Sequence, residues 1–365
     1  MQSLTLRQIL SPLWAGDVVY DETVMLLTDR QGVLPTISLL CPAEQILSVF
    51  DYSLNKKYAE NRDFALSPSG CIAVPANSAL YETACRYDKY YQESYIPEVN
   101  RPMLGGGAQI RTEASRTSGG LTEFQIRVTY RRRNIFPDVI PPDKQSLLPR
   151  TSGRMIGGEE CIIALLGDSI SAGWSASGFV GRAPHQPPYF TLFTEAVRRR
   201  CSVREYNFSV GGKTSVWGRE KAQTDALAAV SPDLAIIAFG MNDGAIERLT
   251  GEVFRDNIAA IIRAVRSRCA HTEFILVSPM LPNAELCYEE GVSVLRHHAK
   301  YPAELAKLES EFAGVAVADV TSVHRALLCR KAYRDMSSNN INHPNDFMHR
   351  VYAQVLLRTL FGNSF

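Results

Sequence analysis

The sequence predicts a doubly wound α/β domain, in which helices cover both faces of a parallel sheet, preceded by an antiparallel β-sandwich. Before residue 134, short alternating or β-branched runs are separated by turn-rich stretches, which is typical of antiparallel sheets. After residue 158, short apolar runs alternate with segments of helical periodicity, which favours a parallel sheet covered by helices.

Length and composition agree with two domains. The chain has 365 residues, of which 45% are hydrophobic, and this is enough for a large core. Lysine plus arginine (39) nearly balance aspartate plus glutamate (38), so we expect neither nucleic acid nor an anionic membrane surface as partner. The oligomeric state is left open by the sequence.

We predict three segments. Residues 1–136 form a β-rich domain of sandwich or jelly-roll type, residues 137–158 form a proline- and glycine-containing linker, and residues 159–365 form the α/β domain. The N-terminal strands are expected at five apolar runs: 18–20, 24–27, 36–40, 46–50 and 124–130.

The eight cysteines form no C-x-x-C pair and several lie in apolar runs, which indicates buried free thiols rather than disulfides or a metal site. No signal peptide or spanning segment is visible, so a cytoplasmic protein without membrane contact is expected.

In the α/β domain, five strands are expected at residues 162–166, 203–207, 234–239, 274–278 and 315–318. Helices are expected between and after these strands, near residues 190–200, 219–229, 253–267, 302–312 and 347–360. Ligands of such flavodoxin-like sheets bind beyond the carboxyl ends of the strands, so the loops that follow the strands should carry the chemistry.

Three of these loops contain residues suited to acyl transfer. Ser169 lies at a strand-to-helix turn, where its hydroxyl is presented and backbone N–H groups favour developing negative charge. Gly212, in a glycine pair, can offer a backbone N–H, and Asn242 can offer a side-chain amide. Each loop taken alone is equally an ordinary glycine or Asx turn.

Near the C-terminus, His343 precedes a proline just ahead of the terminal helix, where it can lean over the sheet edge towards Ser169. A single histidine is more often structural. All four segments nevertheless fall where the topology places binding loops, in an order that supplies a nucleophile, two hydrogen-bond donors and a base.

The four segments together resemble the four blocks of the SGNH (GDSL-like) hydrolase family: Gly167-Asp168-Ser169 with Gly173, then Gly212, then Gly240-Met241-Asn242-Asp243, and finally His343-Pro344. The resemblance implies a serine esterase with Ser169 as nucleophile, His343 as general base, and Ser169, Gly212 and Asn242 as oxyanion-hole donors, without metal or organic cofactor. The chain departs from the family at Ile170, and at Asn340, where an acid usually stands. Asn340 is therefore a candidate for orienting His343.

A β-sandwich ahead of such a domain resembles the two-domain carbohydrate esterases, which implies short-chain, O-acetyl esters of a glycan as substrate. The aromatic stretch from Tyr87 to Tyr95 is either a sugar platform or part of the core. Two alternatives stay open: an esterase or thioesterase for lipids or acyl carriers, and a glycan-binding protein without catalytic activity.

Overall fold

The fold is taken from a computed structural model that describes residues 4–96, 99–104, 106, 108–112, 120–136, 138–289, 292–293 and 295–364. All bounds and contacts below refer to these residues. None of their helices is both long enough and apolar enough to cross a membrane.

The N-terminal region is built on antiparallel sheets. Its strands are β1 (Val18–Met25), β2 (Ala43–Asp51), β3 (Lys57–Tyr58), β4 (Ala65–Leu66), β5 (Ile72–Ala73), β6 (Tyr91–Gln92), β7 (Asn100–Pro102), β8 (Gln109–Arg111) and β9 (Gln125–Arg132). The largest sheet has the strand order β1-β9-β2-β3. One smaller sheet consists of β4 and β5, and another has the strand order β6-β8-β7. Two short helices accompany them, α1 (Leu6–Ile9) and α2 (Tyr87–Tyr90).

Two details of the N-terminal prediction are corrected. The run at residues 18–20 and the first half of the run at 24–27 belong to a single strand, β1, which ends at Met25 and has an irregularity between Val19 and Glu22. The run at 36–40 is not a strand, since it contributes only an isolated bridge between Ile37 and Ile72.

The segment predicted as a linker is partly helical. Helix α3 (Pro149–Ile156) begins with a proline at a position that tolerates it, and Met155 packs into the core. The backbone N–H groups of Arg150 and Thr151 donate to the Glu273 carboxylate at 3.0 and 2.7 Å. These contacts fix the segment to the α/β sheet, while the division into two domains stays a prediction.

The doubly wound prediction is confirmed. The parallel strands are β10 (Cys161–Gly167), β11 (Val203–Asn207), β12 (Leu234–Ala238), β13 (Glu273–Val277) and β16 (Val315–Ala318), and a small hairpin is formed by β14 (Cys287–Glu289) and β15 (Val292–Ser293). The sheet order β11-β10-β12-β13-β16 places the second strand outside the first, as in flavodoxin-like sheets.

Helices lie between and after these strands. They are α4 (Ser169–Ala172), α5 (Tyr189–Val197), α6 (Ser215–Gly218), α7 (Lys221–Ala229), α8 (Met241–Ala245), α9 (Gly251–Arg266), α10 (Tyr301–Glu311), α11 (Val320–Leu328) and α12 (Asp346–Phe361). Short 3-10 turns occur at 81–83, 120–124, 145–147, 298–300, 333–335 and 362–364.

Helix α12 connects the two regions. Almost all of its residues are buried, including polar ones such as Gln354 and Thr359, which is unusual for a helix at a protein surface. One hydrophobic cluster contains its apolar side chains together with those of β1 and β9 on one side and β10 and β12 on the other. The N-terminal region and the α/β domain therefore share a core.

The cysteines are free thiols, as predicted. Six are buried, Cys71 is half-buried, and Cys329 is exposed, so burial is not general.

Candidate active site

Ser169 is held at the carboxyl end of β10 by a tight turn. Gly167 has no room for a side chain, since a Cβ there would lie 2.5 Å from the Ala238 carbonyl oxygen on the neighbouring strand. Asp168 caps α4 by accepting the Ile170 N–H at 3.0 Å, and Gly173 ends the helix at a φ of 100°. Ser169 is the first helical residue, where backbone N–H groups have no acceptor within the helix.

The structure brings Ser169 and His343 together. Their side chains form a hydrogen bond of 2.9 Å between Ser169 Oγ and His343 Nε2, across 174 residues of sequence. Ser169 is only 3% exposed, whereas His343 is half-buried. This is the geometry in which an imidazole can take a proton from a serine hydroxyl.

The loop that carries His343 is shaped by Asn339, a residue that the sequence analysis did not select. Its Oδ1 accepts the backbone N–H groups of Ile341, Asn342 and His343 at 2.9 to 3.0 Å. Ser337 adds a hydrogen bond from its hydroxyl to the His343 carbonyl at 2.8 Å. The signal for Asn339 was the Asn-Asn pair itself, because asparagine side chains often bond backbone groups ahead of them.

Gly212 lies on the loop after β11 and Asn242 lies in the first turn of α8, after β12, so the two segments flank the end of β10. Gly212 has a φ of 78°, a conformation that favours glycine, and open space where a side chain would be. The Asn242 Nδ2 donates to the Lys213 carbonyl at 2.9 Å, which ties the two segments together. An amide nitrogen carries two hydrogens, so this bond leaves a second donor for a ligand.

Asp243 supports the Asn242 loop from beneath. Its carboxylate accepts the Ser215 N–H at 2.9 Å and the Gly240 N–H at 3.0 Å, and also the Ser215 hydroxyl. Burial raises the pKa of the Asp243 carboxyl to about 6 and that of Asp168 to about 7, and both acids are bound to backbone groups of the turns. Their contacts indicate a structural function.

Trp174 is a second residue that the sequence analysis did not select. Its ring lies against Gly211, where a Cβ would come within 2.1 Å, and it meets the His343 ring edge-on with centroids 5.5 Å apart. The backbone of Trp174 is held by a hydrogen bond from its N–H to the Ser169 carbonyl at 3.0 Å and by one from His349 at 3.3 Å. Burial lowers the pKa of His349 to about 4, so this second histidine of the C-terminal motif is neutral and structural.

The Asn340 side chain is directed towards the N-terminal region. Its Nδ2 donates to the Tyr90 hydroxyl at 2.9 Å and to the Arg111 carbonyl at 3.0 Å, and its Oδ1 accepts from Asn283 at 3.2 Å. Tyr90 is itself fully buried, so this part of the aromatic stretch belongs to the core rather than to a sugar platform. The contacts of Asn340 are those of a residue that fixes the loop to its surroundings.

The N-cap of α12 is Asn345, whose side chain accepts the Met348 N–H at 3.2 Å. Asp346 is the first helical residue and is fully buried, with its carboxylate paired to Arg127 on β9.

Replacement of Asn340 by alanine should reduce stability far more than turnover. The variant loses three side-chain hydrogen bonds and places alanine at a φ of 58°, so we expect a loss of about 2–4 kcal/mol in the free energy of unfolding. We expect kcat to fall less than tenfold, against roughly two to four decades for the loss of a triad acid. Urea unfolding and p-nitrophenyl acetate kinetics measure both.

Asn342→Ala is the matched control, because Asn342 lies on the same loop, is half-buried, and its side-chain oxygen accepts a 3.0 Å hydrogen bond from the Asn339 side chain. A fall in kcat of a hundredfold or more in folded Asn340→Ala would instead assign Asn340 to the histidine.

A serine hydroxyl bonded to an imidazole, at the carboxyl edge of a doubly wound sheet, is the arrangement of a serine hydrolase. Comparison with protein-family models matches residues 165–351, just over half of the chain, to the GDSL-like lipase/acylhydrolase family. The chain belongs to this family.

Solved structures with a similar fold include a two-domain esterase (CEX) active on acetylated mannans, at 22% sequence identity and a TM-score of 0.46, with 62% of this chain and 55% of that chain covered. TesA has 21% sequence identity and a TM-score of 0.41, with 55% of this chain and 98% of that chain covered. A lipolytic G-D-S-L family protein from Veillonella parvula has 14% sequence identity and a TM-score of 0.43, with 55% of this chain and 98% of that chain covered. This chain thus spans about half the length of the two-domain esterase. The comparison with curated proteins gives no match.

Proposed function

We propose that this protein is a serine esterase that removes short acyl groups, in particular O-acetyl groups, from a carbohydrate through an acyl-enzyme. The observation that carries the proposal is the 2.9 Å hydrogen bond between Ser169 Oγ and His343 Nε2. A pair of this kind has a direct chemical use in acyl transfer, whereas a purely glycan-binding protein would not need it.

In the proposed mechanism, His343 Nε2 takes the hydroxyl proton while Ser169 Oγ attacks the ester carbonyl carbon. The tetrahedral intermediate collapses as the imidazolium returns the proton to the leaving alcohol, and an acyl-serine remains. A water molecule, deprotonated by His343, then attacks the acyl-serine, and the carboxylic acid leaves as Ser169 regains its proton.

The oxyanion of each intermediate would be bound by the Ser169 and Gly212 backbone N–H groups and by the Asn242 side-chain amide. Preorganised donors of this kind are worth several kcal/mol, because removal of one commonly lowers kcat about a hundredfold or more. The Lys213 carbonyl that binds Asn242 would keep its amide in place without reorganisation during the reaction.

The preference for a short acyl group is supported by Trp174. Its ring fills the space over Gly211, the neighbour of the proposed donor Gly212, and so limits the room for a long chain on that side. One observation favours the lipid alternative: Phe179 and Val210, on loops near the site, are 48% and 42% exposed and offer apolar surface.

A series of p-nitrophenyl esters separates these two functions. We expect kcat/KM for the acetate to exceed that for the octanoate by about tenfold or more, since one unfavourably placed methylene costs about 1 kcal/mol or more in a pocket that does not fit it. Turnover of acetylated sugars, measured in the same series, tests whether the alcohol part of the substrate is a carbohydrate. Faster turnover of the octanoate would support the lipid alternative and reject the short-acyl proposal.

A further inference from the structure

A cleft of about 330 Å³ lies between the N-terminal region and the loop that follows α4. One wall is formed by Asp51 at the end of β2, by Ser53 in the turn that follows, and by Glu123 in the 3-10 turn at 120–124. The opposite wall is formed by the loop after α4, with Ser175 and Arg182. Its volume is at the lower end of the range of about 300–1,000 Å³ that small-ligand pockets occupy.

The loop wall of the cleft is attached to the Ser169–His343 pair. Ser175 directly follows Trp174, whose backbone bonds Ser169 and whose ring meets His343. Further along the loop, the Ser177 N–H and hydroxyl donate to the Asp346 carboxylate at 2.8 and 2.7 Å. Asp346 lies three residues after His343 in the sequence.

The N-terminal wall is attached to the histidine loop from the other side. Leu121, in the 3-10 turn, donates its N–H to the Ser338 carbonyl at 2.7 Å, and the Ser338 N–H donates to the His343 carbonyl at 3.2 Å. Gly120 packs so closely that a Cβ would lie 2.0 Å from the Ser338 carbonyl oxygen. Both walls are therefore continuous with the segments that hold the reacting groups.

The lining fits a neutral, hydroxyl-rich ligand. Asp51 and Glu123 supply carboxylate acceptors, Arg182 supplies donors, Ser53 and Ser175 supply hydroxyls, and the Tyr52 ring adds apolar surface. The two carboxylates are balanced by Arg182 on the opposite wall and by Arg111, which pairs with Glu123 at 3.3 Å, so the cleft favours an uncharged ligand. The number of polar groups disfavours a long acyl chain. A pyranose ring presents hydroxyls at its rim and C–H groups on its faces, which matches this mixture.

We infer that this cleft binds the sugar that forms the alcohol part of the ester, so that the N-terminal region contributes directly to substrate selection. The inference rests on the proposed esterase function and adds the location and the chemical class of the leaving group. If the inference is correct, substitutions in the cleft lower kcat/KM for esters of a sugar but leave kcat/KM unchanged for esters whose alcohol part is not a sugar.

The test compares two substrates with the same acyl group, 6-O-acetylglucose, which keeps its other hydroxyls free, and p-nitrophenyl acetate, so that effects on the acyl machinery cancel in the ratio of their kcat/KM values. Ser53→Trp places a large ring in the cleft and should lower this ratio at least tenfold. Ser69→Trp, at an exposed turn serine of the same region outside the cleft, should leave the ratio unchanged.

Arg182→Ala removes the donor from the opposite wall and should lower the same ratio about threefold to tenfold, with Arg325→Ala, an exposed arginine on α11, as its control. An unchanged ratio in both Ser53→Trp and Arg182→Ala would overturn the inference while leaving the esterase function in place. A wild-type protein that hydrolyses neither substrate would overturn the proposed function itself, and the inference with it.

Discussion

Replacement of Ser169 by alanine, and separately of His343 by alanine, should lower kcat on p-nitrophenyl acetate by several orders of magnitude. Loss of either member of a serine–histidine pair costs about six orders of magnitude in comparable hydrolases, because the remaining residue cannot perform the acyl transfer alone. The 2.9 Å hydrogen bond that joins them is one neutral contact, so the free energy of unfolding should change by only about 1 kcal/mol.

Two controls match these variants. Ser171 lies on the same short helix as Ser169, and Ser171→Ala removes a hydroxyl that forms a 2.8 Å hydrogen bond with the Tyr189 hydroxyl. His271→Ala removes an exposed histidine that lies just before β13, at the opposite end of the sheet from Ser169. Both should keep kcat within about tenfold. A fluorophosphonate probe should label the wild type and both controls but not Ser169→Ala. Substantial turnover by either Ser169→Ala or His343→Ala would show that the assigned pair is wrong.

Much of the α/β domain was predictable because four of its five parallel strands are almost wholly buried. Such strands appear as short, continuous apolar runs, and the strand at 315–318 was predicted with its observed bounds. The strand at 203–207 was also predicted with its observed bounds, although it lies at the sheet edge and none of its residues is buried. The loops at the carboxyl ends of the strands follow from the parallel topology, so Ser169 and His343 could be selected before any contact between them was known.

The N-terminal region was predicted less well, because its strands do not alternate regularly between buried and exposed residues. In β1 the burial is nearly continuous after Asp21, since α12 and the 333–335 turn cover it, and the irregularity after Val19 breaks the period of two. Sequence spacing therefore divided one strand into two.

Sequence patterns could not predict contacts between polar residues that are far apart in the sequence. Asn339 and Asn340 are adjacent and chemically identical, yet the former organises the His343 loop and the latter bonds Tyr90, 250 residues away. Local spacing can identify a candidate asparagine, but only the packing of the N-terminal region determines which way each side chain points.

The largest expected effect on stability follows from another such contact, the buried ion pair between Arg127 on β9 and Asp346 at the start of α12. Their side chains are 1% and 0% exposed, and Arg127 also donates to the Tyr52 carbonyl at 2.8 Å and lies 3.6 Å from the Asp21 carboxylate. Arg127→Met would leave two buried carboxylates without this cation, so the free energy of unfolding should fall by about 3–5 kcal/mol.

Arg131→Met is the matched control, because Arg131 lies on the same strand but is 42% exposed and pairs with the exposed Asp17. Surface pairs of this type contribute about 0–1 kcal/mol, so the two variants should differ by several kcal/mol in urea unfolding. Adding Asp346→Asn to Arg127→Met removes one of the unpaired charges and should cost less than the sum of the single changes. Equal stability of Arg127→Met and Arg131→Met would show that the buried pair does not hold the N-terminal sheet to the helix after His343.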